Sequence, residues 1–122
     1  MAEFRVEYLF QWNGGNAWTG RGETFRLPTE NPSTQDFITL LKGQHSNYTA
    51  VRIASVEKRG CPKIAFHVSF NYKTRETDSG RVGTSVTVYW YDDSPSMSDL
   101  EALVLGNRIN DCSVSITEVR KR

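Results

Sequence analysis

Apolar and polar positions alternate strictly over residues 4–12, with Phe4, Val6, Tyr8, Phe10 and Trp12 on one parity and Arg5, Glu7, Leu9 and Gln11 on the other. A period of two places the first set on the buried face of a half-exposed strand. Asn13, Gly14, Gly15 and Asn16 tolerate the positive φ that a hairpin turn demands, so a second strand is expected to run back to about Leu27, where Pro28 ends it. The period then changes. Residues 31–36 read as a helix start, with a hydroxyl to cap free amides and Asp36 at the positive end of the dipole. Phe37, Leu40 and Leu41 follow at helical spacing, and Gly43 stands where a helix closes in the left-handed conformation. Residues 48–58 return to strand, carrying Val51, Ile53 and Val56, and the change of phase between the last two predicts a bulge.

The same cycle begins again after the turn at residues 59–63. Ile64, Phe66, Val68, Phe70 and Tyr72 share a face of a fourth strand. A polar loop over residues 74–80 leads to a fifth strand with Val86, Val88 and Trp90. Residues 94–99 open a second helix, with capping-box spacing at Ser98 and Glu101, an apolar stripe of Leu100, Leu103 and Val104, and Gly106 near its end. Cys112, Val114, Ile116 and, out of phase, Val119 mark a last strand.

Laying residues 31–59 over residues 94–122 without a gap gives eleven identities in 29 positions, among them Pro32/Pro95, Ser33/Ser96, Asp36/Asp99, Gly43/Gly106, Ile53/Ile116 and Val56/Val119. Ordinary composition gives about two by chance. In the hairpins Gly20-Arg21 lies over Gly80-Arg81. The chain therefore reads as an internal duplication of a ββαβ unit, repeat one over residues 1–60 and repeat two over residues 61–122, fused into a single α+β domain. One unit leaves its apolar sheet face half covered, and a second copy completes the core. A right-handed crossover within each unit gives local strand order 2-1-3. Joining the units edge to edge at their third strands predicts a six-stranded antiparallel sheet of order 2-1-3-6-4-5, with both helices on one face; two three-stranded sheets packed face to face are the alternative.

Charge and chemistry narrow the picture further. Fifteen Lys and Arg against fourteen Asp and Glu leave a net charge of +1, too little for a global field that draws the chain to nucleic acid or anionic membranes. No run of about eighteen apolar residues is present, so a cytoplasmic protein without membrane attachment is expected. Cys61 and Cys112 read as free thiols, and together with His45 and His67 they lack the spacing of a zinc site, so neither metal nor cofactor is expected. His45 and His67 have no nucleophile or acid that spacing places within reach, which leaves catalysis without support.

The candidate sites are surfaces. The face opposite the helices is expected to present Arg26, Arg52, His67, Tyr89 and Tyr91; tyrosines among arginines on an open sheet suit stacked bases and phosphates. Arg21 and Arg81 occupy equivalent hairpins, where symmetric guanidinium groups suit an anionic ligand or symmetric partner, although basic residues also guard strand edges. Trp18, in a glycine-flanked loop, is either an anchor for a protein partner or a lid folded back on the core. Small size, a duplicated scaffold and no chemical constellation point to a non-catalytic binding protein acting on another macromolecule, a protein before a single-stranded nucleic acid, as a monomer or homodimer. By analogy that profile fits phage or mobile-element accessory proteins, including inhibitors of host defence.

Overall fold

The computed structural model describes residues 1–75 and 82–122. β1 (Ala2–Trp12) and β2 (Thr19–Leu27) form the first hairpin, whose turn places Asn13 and Gly14 at φ 50° and 74°. α1 (Thr34–Gln44) crosses to β3 (Tyr48–Lys58), and a turn with Gly60 at φ 84° leads to β4 (Ile64–Lys73). β5 (Val82–Trp90), α2 (Met97–Gly106) and β6 (Ser113–Lys121) complete the chain. It is an α+β fold with one six-stranded mixed sheet and two helices.

Both helices begin as the serine and aspartate spacing demands. Ser33 and Ser96 are the N-caps, each accepting from the amide three residues on, while Asp36 and Asp99 reach back to the cap amides. The box expected at Ser98 and Glu101 lies inside α2 instead, because Ser96 already satisfies the first free amide. Neither Gly43 nor Gly106 takes a positive φ; both lie within their helices, which end at His45 and Asn107.

The strand order is β2-β1-β3-β5-β4-β6, which corrects the expected 2-1-3-6-4-5. Each three-strand group has the expected local order, 2-1-3 and 5-4-6, with antiparallel neighbours. The groups join differently: β3 meets β5, not β6, in parallel, through the bridge Ser55↔Tyr89. The reason lies at the free edge of β3. A Cβ on Gly106 would stand 2.0 Å from the Ile53 carbonyl oxygen, so glycine lets the end of α2 lie directly on that strand's backbone. Asn107 Nδ2 then donates to Ala54 O at 3.0 Å. An antiparallel join along β3 needs the edge that α2 occupies.

Two bulges fall where the phase changes, and a third, with Thr49 as the extra residue between Gln11↔Ala50 and Trp12↔Tyr48, was not foreseen. Ala54 is the extra residue between Tyr8↔Ile53 and Glu7↔Ser55, and Thr117 plays that part between Phe70↔Ile116 and Ser69↔Glu118. One core results. Phe4, Val6 and Tyr8 of β1, Val56 of β3, Val68 of β4 and Trp90 of β5 pack with Phe37 and Leu41 of α1 and Leu103 and Val104 of α2. The helices meet at their N-termini: buried Asp99, besides its own cap, accepts from Thr34 N at 2.9 Å and Thr34 Oγ1 at 3.0 Å. One carboxylate thus neutralises two positive helix ends. No helix among the described residues is long and apolar enough to cross a membrane.

Candidate functional site

An open groove of about 590 Å³ is lined by Glu7, Leu9, Gly20, Arg21, Gly22, Ala54, Gly106, Asn107 and Ile109, together with Tyr8. Its form follows from strand parity. Leu9 pairs with Gly20 and Glu7 with Gly22, so on the face away from α1 the edge strand presents hydrogens where side chains would fill the space. At Gly20 the nearest atom to an added Cβ is Leu9 Cδ2, at 3.5 Å, and the residue is exposed. Over Gly22 the Arg5–Glu7 ion pair folds across the strand, Arg5 Nη2 standing 2.3 Å from where a Cβ would be. Leu9 and Ile109, the latter 42 % exposed, give the groove apolar contact surface; Asn107 and Glu7 give it polar rims.

Arg52 builds the wall beside it. Its guanidinium donates to the carbonyls of Leu105 (3.2 Å), Arg108 (3.2 Å) and Asp111 (3.0 Å), closing the last turn of α2 and the loop after it. Burial draws its pKa down, against the opposing charge of Asp111. Trp18 lies under this guanidinium, with Cζ 4.7 Å from the ring centroid, so the tryptophan is folded back and half-buried. The sequence singled out Trp18 and Arg52 separately; the fold stacks them. Arg21 lines the groove from β2 but has the helix-side parity of Glu23, whereas Arg81 lies outside the described residues, as does Gly80.

The remaining candidates are dispersed. Arg26 is exposed and bonded to Glu3. Tyr89 is 42 % exposed beside the β3–β5 join, with Lys63 Nζ 5.3 Å above its ring. Tyr91 is not on the open face: β5 ends at Trp90, alternation ends with it, and the ring turns into the core against Phe4 while its hydroxyl donates to Pro32 O at 2.7 Å. Burial, then the nearby Asp92 and Asp99, push this phenol far above its ordinary range. His67 lies on β4 with Nδ1 buried and without a hydrogen-bond partner among the described residues. Cys61 is exposed and Cys112 half-buried, both free.

A polar cluster on the helix side was not foreseen. Tyr8 donates to Glu23 Oε2 and lies 3.1 Å from the Tyr48 hydroxyl, while His45 Nε2 lies 2.9 Å from the same carboxylate oxygen. His45 stacks on Tyr48, which stacks on Phe10. Burial works against ionisation of Glu23, but the bonds from Tyr8 and His45 outweigh it and hold the carboxyl below its usual range. Burial and the Glu23 bond push the Tyr8 phenol well above its own. The signal was present in Glu23, a charged residue on the inward parity of β2 between Arg21 and Phe25. Its partners come from the helix C-cap and another strand, a juxtaposition that only the fold creates. No family model, curated protein or solved structure matches the chain.

Proposed function

We propose that this protein is a non-catalytic binding module that takes another protein in the groove over Gly20, Leu9 and Ile109. The observation that carries the reading is the groove itself: an edge strand with glycine at two successive positions of one face, open above Gly20, apolar at its floor through Leu9 and Ile109, with Glu7 and Asn107 at its rim. Such a surface suits an apolar side chain flanked by backbone amides that donate to Glu7 and Asn107. The nucleic-acid reading has less to draw on, since Arg52 is spent on three carbonyls and Tyr91 is in the core, leaving Tyr89 and Arg26 apart. The duplication reading is supported by the shared local order of the halves, their matched caps and their matched bulges. Action against a host defence system remains analogy.

The test is capture from a native host extract on the immobilised chain, compared with Gly20→Phe, which fills the groove, and Ile109→Asp, which charges it. Both variants should keep the circular dichroism spectrum and lose the captured protein. Capture that survives both changes, or turnover of a common metabolite by the purified chain, overturns the reading.

A further inference from the structure

We propose that the chain binds a second copy of itself head to tail, the β6 edge of one molecule docking on the β2 and α1 edge of the next. The docking repeats the junction that joins the halves inside each chain. The halves correspond position by position: Val6 pairs with Glu23 and Val56 as Val68 pairs with Val86 and Val119, so 86 − 23 and 119 − 56 give one shift of 63. The same shift carries N-cap Ser33 to Ser96. Hence β2, α1 and β3 map onto β5, α2 and β6. The internal junction is heterologous, with β3 on one side and β5 with α2 on the other. What it leaves at the two ends of the sheet is β6, the counterpart of β3, and β2 with α1, the counterpart of β5 with α2. The free ends are therefore complementary to one another in form.

The free ends also carry the counterparts of the residues that make the internal junction. Gly106 is glycine because α2 lies on the backbone of Ile53 and Ala54; Gly43, its counterpart, is exposed, with nothing among the described residues within 4 Å of an added Cβ. A glycine on the exposed face of a helix weakens it without return in the isolated chain, but it admits the backbone of β6 at Ile116 and Thr117. Asn107 bonds to Ala54 O, and Gln44, at its place, is an exposed amide for Thr117 O. Asp99 reaches from its cap to Thr34; Asp36 is capped alike, and Met97, at the place of Thr34, is 55 % exposed. The bridge Ser55↔Tyr89 becomes Glu118 facing Arg26, both exposed and of opposite charge, each now held by a neighbour of its own chain, Arg120 and Glu3. Val114, Ile116 and Val119 on β6 are only partly buried, as strand residues awaiting a helix would be. A heterologous contact of this kind does not saturate at a symmetric pair; it grows into rings or filaments.

Sedimentation velocity on the full chain over a concentration series tests this, with melting by circular dichroism as the control for folding. The wild type should form species that grow with concentration. Gly43→Arg should keep the melt and weaken association by at least about tenfold, since bulk stands where two backbones must meet. Glu118→Arg should weaken it as well, and Glu118→Arg with Arg26→Glu should restore it. A chain that stays monomeric across the series overturns the proposal, and so does association indifferent to both Gly43→Arg and Glu118→Arg.

Discussion

Two glycines at matched positions show how much depends on surroundings. An alanine at 106 would place a methyl 2.0 Å from Ile53 O and 2.5 Å from the carbonyl carbon, and neither atom can give way without moving β3. Gly106→Ala should cost about 2–3 kcal/mol in urea unfolding, at the upper end of overpacking effects. At Gly43 the space is open, so Gly43→Ala should stabilise the monomer by about 0.5–1 kcal/mol through helix propensity. The two caps diverge in the same manner. Asp36→Ala removes one exposed cap interaction and should cost about 1 kcal/mol, whereas Asp99→Ala also leaves buried Thr34 unpaired and should cost about 2–4 kcal/mol. Glu23 and Tyr8 set the response to pH. Because the folded pKa of Glu23 is lowered, its contribution is present above the ordinary value of about 4.3 and is lost as pH falls through the folded value. Because that of Tyr8 is raised, its contribution is complete below about 10 and is lost as pH rises beyond it. Stability measured against pH should fall at both ends, with Glu23→Gln flattening the acid limb and Tyr8→Phe the alkaline one.

Among the elements, α2 has the most varied work: it covers the core, seals the edge of β3 and is itself closed by a side chain from that strand. Arg52→Ala would leave the carbonyls of Leu105, Arg108 and Asp111 without their shared donor and should cost about 2–3 kcal/mol, with Arg52→Lys recovering only part, since an ammonium cannot span the three. Chemical unfolding of the two variants measures the difference, and the tryptophan emission of Trp18 should shift as its covering cation is removed. The existence and kind of every element were legible in the sequence, because strict alternation, serine and aspartate caps and turn glycines act locally. The bulge between Ile53 and Val56 was legible too, since a change of phase has to appear in the residues themselves, whereas the one at Thr49, near the start of its strand, was not. Arg52 was not, because its parity says only that it leaves the helix-facing side of β3, while the carbonyls it meets arrive from the far half of the chain. Tyr91 misled for a related reason: the alternation of β5 was carried one residue past its end.

At the scale of the molecule, local strand order followed from right-handed crossover, but the join between the halves did not. Both β5 and β6 are polar at their outer edges, and no periodicity distinguishes them. The choice is made by the fit of Gly106 and Asn107 onto the backbone of β3, and a glycine near the end of a helix looks the same in sequence whether it closes the helix or lets it touch a strand. The groove was partly legible, since Gly20 and Gly22 share a parity with Leu9 on its neighbour; its far wall at Ile109 depends on the same join. The tandem join of β3 to β5 therefore underlies the fold, the groove and the proposed assembly alike. Disulfide trapping tests it most directly, in a background with Cys61 and Cys112 replaced by serine. Ser55→Cys with Tyr89→Cys should close an intramolecular bond on mild oxidation, because these residues face each other across the parallel bridge. Ser55→Cys with Glu118→Cys should form none within the chain, since β5 and β4 separate β3 from β6. An intramolecular bond in the second pair and none in the first would show a join through the third strands of the two halves and contradict the tandem order.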